Sequence, residues 1–336
     1  MRKKILFDSK FTRRTLLAGA TAGTLAIGTE PASAQRCPAE PPARAKGPLV
    51  WLDMDQEDLD DAYDQGVYAF NSKTVEERRV QTNEIAQSVL GKPDRVAYGP
   101  AEIEKLDIYK TKRPNAPTLI FIHGGGWRSG RSSQFTCYAE PYVKAGANFV
   151  VVDFTNVRET NGDIFPMVDQ CRRAIAWVYR NAASFGGDPN ALYTISRSSG
   201  SHLNGCVLIT EWENQGLPRD IIKGAVLGSG MYDLKPVRLS KRGNYVKFTD
   251  EMEQQLSAQR HIDRIHTPIV LGTGTLETPE FQRQSRDFAA ALIKAGKPVQ
   301  HIIGKGYNHY EMGETIGNPY ATLGRAAMDM MKLNTV

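Results

Sequence analysis

A serine within a stretch of small residues is the first candidate for chemistry. Residues 193–202 read Tyr-Thr-Ile-Ser-Arg-Ser-Ser-Gly-Ser-His, where an apolar run ends abruptly before a helix-compatible segment. This pattern is typical of a nucleophile elbow, a sharp strand-to-helix turn with a serine hydroxyl at its tip. The turn brings together the residues two before and two after the nucleophile, so both must be small. Of the serines here, only Ser198 meets this condition, with Ser196 and Gly200 around it. A flexible Ser/Gly loop is the alternative.

A glycine-rich segment, His-Gly-Gly-Gly-Trp at 123–127, follows an apolar run typical of a buried strand. Backbone N–H groups in such a loop can stabilise the negative oxygen of a tetrahedral intermediate, as in the HGGG-type loops of lipases and esterases. That pattern assigns the oxyanion hole to the amides of Gly125, Gly126 and Ser199. Trp127 is expected to contact the substrate. A simple tight loop and a phosphate-binding loop are the alternatives, but the segment lacks the usual phosphate-binding glycine patterns.

A histidine and an acid that could activate the serine follow later in the chain. A serine of ordinary pKa needs a base that works near neutral pH, which histidine provides. Among the six histidines, His309 alone lies on a glycine-rich loop after a late predicted strand, although it could be a surface residue. The acid is expected after the strand at 268–271, where Glu277 and Glu280 are available. Glu277 is favoured because Glu280 follows Pro279 and is expected to open a helix as a solvent-facing first-turn acid.

Alternating strand and helix patterns must position these residues. Apolar runs predict buried strands at 118–122, 148–153, 192–195, 224–228, 268–271 and 299–303, with an edge strand within 97–109. Helices are predicted at 55–68, 74–90, 130–146 and 166–185 and from 279 on, the second with a capping-box pattern at Thr74 and Glu77. The alternation argues for one α/β domain with a mostly parallel sheet flanked by helices. The first two helices either cover the mouth of the site or only pack beside it.

The first 34 residues are predicted to be an export signal of the twin-arginine type. Arg13 and Arg14 precede a mild apolar run at 16–27, and an Ala-Ser-Ala cleavage pattern ends at Ala34. The apolar run is shorter than the roughly 20 residues of a membrane-spanning helix, so no stable anchor is expected. A basic disordered tail is the alternative. The remaining chain divides into a Pro-rich leader, 35–50, and a domain, 51–336, expected in the periplasm or secreted.

Charge and cysteine content exclude several other classes. Most of the net charge of +5 lies in residues 1–34, so the nearly neutral body gives no reason to expect nucleic acid or an anionic membrane as partner. No metal or organic cofactor is implied. The four cysteines, which lack metal-ligand spacing, are Cys37, Cys137, Cys171 and Cys206. Cys171 and Cys206 lie in apolar helical patterns and are expected to be buried free thiols.

Together these motifs resemble the α/β-hydrolase superfamily, in its arylformamidase-like and hormone-sensitive-lipase-like esterase branches. The resembling segments lie at 123–127, 165–169, 177–181, 185–189, 193–203, 277–285 and 308–311. Residues 54–63, Met-Asp-Gln-Glu-Asp-Leu-Asp-Asp-Ala-Tyr, look most like those of kynurenine formamidase-type members. The elbow departs from the family, which usually reads Gly-His-Ser-Ala-Gly. Arg197, at the second position of the elbow, could face an acidic group of a substrate or be solvated or salt-bridged.

The resemblance implies a serine hydrolase with an N-terminal helical cap and the α/β-hydrolase order Ser198, Glu277, His309. Such an enzyme cleaves a small carboxylic ester through an acyl-enzyme intermediate. An arylformamidase that cleaves an N-formylkynurenine-type amide is the alternative, and the export signal favours the esterase, since kynurenine breakdown is cytoplasmic in the resembled family. A non-catalytic binding protein on a hydrolase fold is a further alternative. The partner is a small ester or amide, and the sequence does not define the oligomeric state.

Overall fold

One eight-stranded sheet carries the candidate residues. The computed structural model of the protein describes residues 44–334. Its strands are β1 (Asp94–Ala97), β2 (Lys105–Tyr109), β3 (Ala116–Ile122), β4 (Asn148–Val152), β5 (Gly187–Arg197), β6 (Ile222–Gly228), β7 (Ile269–Gly274) and β8 (Val299–Gly304). They lie in the order β1-β2-β4-β3-β5-β6-β7-β8. β2 is antiparallel to both of its neighbours, and the strands from β4 to β8 are parallel.

Helices cover both faces of this sheet. They are α1 (Gln56–Ala62), α2 (Gln65–Tyr68), α3 (Ser72–Leu90), α4 (Ala139–Lys144), α5 (Phe165–Asn181), α6 (Ser199–Leu208), α7 (Leu234–Leu239), α8 (Asp250–Gln255), α9 (Pro279–Lys294), α10 (His309–Glu314) and α11 (Thr322–Met330). Successive β3 side chains alternate between two cores, with Ile120 and Ile122 in one and Leu119 and Phe121 in the other. Every β3 residue is buried, which explains why the strand reads as an unbroken apolar run.

The predicted fold class is confirmed, and a strand is present at each of the six predicted positions. β8 is not buried as expected, because it is the last strand of the sheet, and Ile303 is 50% exposed. Further differences lie in the segments outside these strands. The single edge strand expected within 97–109 is the antiparallel pair β1 and β2. The helix expected over 130–146 is interrupted: two 3₁₀ turns lie at 132–134 and 136–138, and α-helix is present only at α4. The segment from 55 to 68 forms two short helices, because the chain turns after α1 and Asp64 caps α2.

The capping box predicted at Thr74 and Glu77 is wrong. α3 begins earlier, at Ser72, and its N-cap residue is Asn71. Thr74 is therefore inside the first turn and not at the cap. The predicted end of the helix is confirmed, since Gly91 follows α3 with a φ of 73°, a conformation that glycine adopts at low cost.

The described chain from Lys46 onward forms one compact unit. The twin-arginine pair, the Ala-Ser-Ala pattern and Cys37 lie outside the described residues, so the export signal stays a prediction. Cys171 and Cys206 are buried free thiols as expected, and Cys137 is a third. Within residues 44–334, no helix is both long enough and apolar enough to cross a membrane.

Candidate active site

Ser198 lies at the turn between β5 and α6. Its φ of 55° and ψ of −130° are a strained conformation for a residue with a side chain. Gly200 permits this turn, because a Cβ atom there would lie 2.2 Å from the carbonyl oxygen of Ile122. Ser196, two residues before Ser198, is also buried. On the C-terminal side of Ser198, the requirement for a small residue therefore has a direct steric cause at Gly200.

The serine that replaces the usual first glycine belongs to a polar network beneath the elbow. The Ser196 hydroxyl lies 3.0 Å from that of Ser201 and accepts from the Asn204 side-chain amide at 3.1 Å. Ser201 in turn donates to the carbonyl of Gly228 at the end of β6. Burial of hydroxyls is tolerated when they are hydrogen-bonded. The serine at position 196 is therefore accommodated by its bonds to Ser201 and Asn204 of the following helix, α6.

Ser198, His309 and Glu277 form a continuous chain of hydrogen bonds. The Ser198 hydroxyl lies 2.9 Å from His309 Nε2, and His309 Nδ1 lies 2.8 Å from Glu277 Oε2. A carboxylate only accepts, so the imidazole proton is on Nδ1 and Nε2 is free to accept from the serine. The three residues follow β5, β8 and β7, whose carboxyl ends meet at one edge of the parallel sheet.

The other oxygen of Glu277 is held by two donors. Oε1 accepts from the Ser229 hydroxyl at 2.5 Å and from the backbone N–H of Gly274 at 2.8 Å. These bonds fix the carboxylate, which is 2 % exposed, toward His309. No motif in the sequence marked Ser229. Its only signal was the Gly-Ser-Gly sequence at 228–230, which lies at the end of β6 and at the same edge of the sheet.

Glu280 does open α9, as predicted, but it does not face solvent. It is 0 % exposed and its oxygens lie 2.6 and 2.8 Å from the guanidinium of Arg283. Tyr63 also donates to it at 2.9 Å. The expectation of a solvent-facing acid is wrong because α1, far away in the sequence, packs over the start of α9. Glu280 is committed to this ion pair, whereas Glu277 alone contacts His309.

His309 is the first residue of α10, and the N-cap of that helix anchors it. The Asn308 side chain accepts from the backbone N–H groups of Tyr310 and Glu311. Asn71, at the start of α3, accepts from the Asn308 side-chain amide at 2.7 Å and donates to Glu311 at 2.7 Å. The loop that carries the histidine is thus bonded to the N-terminal helices.

The glycine loop after β3 lies beside Ser198. A Cβ atom on Gly124 would be 3.0 Å from that of Ser198, and Gly125 and Gly126 have φ values of 125° and 61°. Left-handed conformations of this kind favour glycine. Among the described residues, no acceptor bonds the backbone N–H groups of Gly125, Gly126 or Ser199. These are the three amides that the sequence assigned to the oxyanion hole.

Trp127 does not line the cavity, contrary to the prediction that it contacts the substrate. It is buried in the core. Its indole N–H donates to His202 Nδ1 at 3.2 Å, and its backbone N–H donates to the Ser199 hydroxyl at 3.2 Å. Its φ of 62° turns the chain away from the cavity after the glycines. Trp127 therefore supports the loop from behind.

A cavity of about 890 Å³ opens above Ser198 and His309. The glycine loop forms one part of its wall, and Tyr63, Gln65 and Arg79 from the N-terminal helices form another. The N-terminal helices thus cover part of the site, one of the two roles expected of them. A cavity of this volume holds a small organic molecule.

Comparison with known proteins identifies relatives of this chain and solved structures with the same fold. Residues 106–224 match the BD-FAE family model. Kynurenine formamidase of Danio rerio is 33% identical over 223 residues, which cover 64% of this chain and 74% of that protein. The chain belongs to the arylformamidase-like family of α/β-hydrolases. Esterase LipC of Mycobacterium tuberculosis is 29% identical over 221 residues, or 62% of this chain and 54% of that protein. The apo form of Thermogutta terrifontis esterase 2 has the same fold, with a TM-score of 0.60 at 23% identity over 72% of this chain and 95% of that one.

Three of the hydrolase's histidines are buried near the site, and only one of them contacts Ser198. His123 stacks on Phe154 at 4.2 Å, and burial lowers its pKa to about 4. Burial likewise lowers the pKa of His202 to about 4. Burial also lowers the pKa of His309, against the raising effect of Glu277. The base candidate is therefore neutral at neutral pH, the form that can accept a proton.

Arg197 lies at the end of β5 and lines the cavity, a position from which it could contact a substrate. Arg128, Arg242 and Tyr245 also line it. No sequence pattern predicted these three residues, because their position depends on how distant segments pack. In the part of the hydrolase from 44 to 334, no cluster of His, Cys, Asp or Glu side chains is suited to hold a metal ion.

Proposed function

We propose that the protein is a serine hydrolase that cleaves a small carboxylic ester through an acyl-enzyme intermediate. The observation that carries the proposal is the unbroken hydrogen-bond chain from Ser198 through His309 to Glu277. Nucleophile, base and orienting acid within hydrogen-bond reach are the signature of nucleophilic catalysis by serine. The esterase among the relatives supports the same reaction class.

Acylation begins when the Ser198 oxygen attacks the ester carbonyl carbon and its proton passes to His309 Nε2. Glu277 holds the imidazole in the productive tautomer and stabilises the imidazolium that forms. The imidazolium then gives the proton to the leaving alkoxide, the C–O bond breaks, and the alcohol departs. Water attacks the acyl-enzyme with its proton going to His309, and collapse of the second intermediate releases the acid and restores Ser198.

In this proposal, the amides of Gly125, Gly126 and Ser199 stabilise the negative oxygen of each tetrahedral intermediate. Their freedom from acceptors in the described chain supports this assignment. Donors fixed before the reaction stabilise developing charge without reorganising. Loss of a single donor in comparable sites costs about 10²–10³ in kcat.

An arylformamidase activity is the second candidate. The 33% identical relative from Danio rerio, a kynurenine formamidase, favours it. The same residues would attack a formamide carbonyl, with His309 protonating the leaving amine. A binding protein on a hydrolase fold is disfavoured, because such a protein has no need of a buried serine–histidine–glutamate chain.

The test combines a covalent probe with two kinds of substrate. A fluorophosphonate should label Ser198, and Ser198→Ala should lose about 10⁴-fold or more in kcat on p-nitrophenyl esters. N-formylkynurenine assayed beside the esters decides between the two activities. Ser199→Ala and Ser201→Ala serve as matched controls, and labelling of either serine in place of Ser198 would overturn the assignment. A protein that takes no label and cleaves neither substrate would be the binding protein.

A further inference from the structure

The wall of the cavity carries an excess of positive charge. It includes two carboxylates and five cationic side chains, which are Asp64, Glu76, Arg79, Arg128, Arg197, Lys241 and Arg242. Both carboxylates are already paired, Glu76 with Arg79 and Asp64 with Lys241, each at 2.5 Å. Within residues 44–334, Arg128, Arg197 and Arg242 have no carboxylate within ion-pair distance. Three arginines that form no ion pair in the described chain therefore line the space above Ser198.

Arg197 directly precedes Ser198 in the sequence, and its side chain packs closely against α10. A Cβ atom on Gly313 of α10 would lie 2.7 Å from the Arg197 guanidinium carbon, so the glycine leaves room for that group. Arg197 is half-buried, and its Nε is fully buried, so an anion in the cavity would have to reach the terminal Nη groups. A guanidinium at a cavity wall without a carboxylate partner is suited to bind a planar anion.

Arg242 approaches the same space from the segment after α7. It is 8 % exposed, donates to the Tyr245 hydroxyl and to the carbonyl of Tyr63, and keeps a buried Nε without a partner. Arg128 lies over the Tyr245 ring at 4.3 Å. A Cβ atom on Gly126 would be 3.6 Å from Arg242 Nη1 and 3.8 Å from Arg128 Nε. Both guanidinium groups therefore flank the glycine loop.

Burial of a cation without an anion is costly, and a ligand that supplies the anion recovers that cost. We propose that the substrate carries a carboxylate or a comparable anionic group, and that Arg197 binds it while Arg128 and Arg242 add to the favourable field. This inference rests on the proposed hydrolase function and specifies its substrate class. It also accounts for the departure of this elbow from the family pattern at position 197.

Matched pairs of substrates test the proposal on either side of the scissile bond. p-Nitrophenyl hemisuccinate is compared with p-nitrophenyl butyrate for an anionic acyl group, and 4-acetoxybenzoate with its methyl ester for an anionic leaving group. We expect the wild type to prefer the anionic member of at least one pair in kcat/KM. Arg197→Gln should reduce that preference by about 10- to 100-fold, the scale of a lost charge-assisted hydrogen bond. Arg197→Lys should restore part of it.

Two further variants control this result. Arg325→Gln removes an exposed arginine of α11, paired with Asp329, and should leave both rates unchanged. Arg128→Gln removes an exposed arginine of the cavity wall, and should weaken the preference by a smaller factor. If the wild type cleaves the neutral members as well as the anionic ones, and Arg197→Gln leaves the ratio unchanged, the inference is wrong while the hydrolase function stands.

A binding measurement separates failure of the inference from failure of the function. Ser198→Ala protein titrated calorimetrically with benzoate should bind it more tightly than benzamide, and Arg197→Gln added to that variant should abolish the difference. This readout requires no turnover, so it decides the anion site even if no ester or formamide is cleaved. Equal binding of benzoate and benzamide would refute the anion site.

Discussion

Glu277 and Glu280 are three residues apart and both buried, yet they should fail in different ways when neutralised. Glu277→Gln replaces the oxygen that accepts from His309 Nδ1 with a group that can be an amide donor. The imidazole then loses its productive tautomer, and kcat should fall by about 10²–10⁴-fold while the fold is kept.

Glu280→Gln breaks the buried pair with Arg283 and leaves catalysis in place. Removal of one partner of a buried ion pair costs about 3–5 kcal/mol. The cost here should be about 3 kcal/mol, because Arg283 keeps a second bond to Asp287 at 2.8 Å. Loss of a solvent-facing acid at the start of a helix would cost less, at most about 1 kcal/mol. The melting temperature should fall by about 6–12 °C.

Thermal unfolding followed by circular dichroism, and kcat/KM on one neutral ester at 20 °C, measure the two effects side by side. The expected pattern is an inactive but stable Glu277→Gln and an active but heat-sensitive Glu280→Gln. A folded Glu280→Gln without activity beside a Glu277→Gln of near-normal rate would show that the acid assignment is wrong.

The remaining predictions concern pH and export. Activity needs neutral His309, so kcat/KM should rise with pH. Burial, Arg197 and Arg242 lower the pKa of His309 more than Glu277 raises it, so the midpoint of the pH profile should lie below the ordinary 6.5. Arg197→Gln removes a positive charge and should move the midpoint up, and a wild-type midpoint above 6.5 on a neutral ester would contradict the argument. Replacement of both Arg13 and Arg14 by Lys should leave precursor in the cytoplasm, and the mature N-terminus should be Gln35; an undiminished periplasmic yield in that variant would exclude the twin-arginine route.

The sequence predicted the parts of the site that are set by local geometry. Ser198 follows from the steric limits of a strand-to-helix turn. His309 and Glu277 follow from the rule that parallel strands bring the segments after their carboxyl ends to one edge. β7 continues to Gly274, so Glu277 is only three residues from the strand and closer to the site than its apolar run indicated.

The misplaced residues depend on contacts between distant parts of the chain. Glu280 is buried because Tyr63, 217 residues away, bonds to it. Trp127 turns inward because His202 accepts its indole N–H. No local pattern encodes either partner. The three arginines that have no carboxylate partner among residues 44–334 likewise come from separate segments, and the proposal that they act together depends on their assembly around one cavity.

The bonds from Asn71 to Asn308 and Glu311 have a consequence for how the protein matures. They join residues 237 and 240 positions apart. Contacts of such long range form late, because the chain entropy of closing the loop must be overcome first. The N-terminal helices leave the ribosome early but meet their partners only when nearly all of the chain has been synthesised. The loop that carries His309 therefore reaches its final position at the end of folding. Catalytic turnover would then report on completed folding of the whole chain.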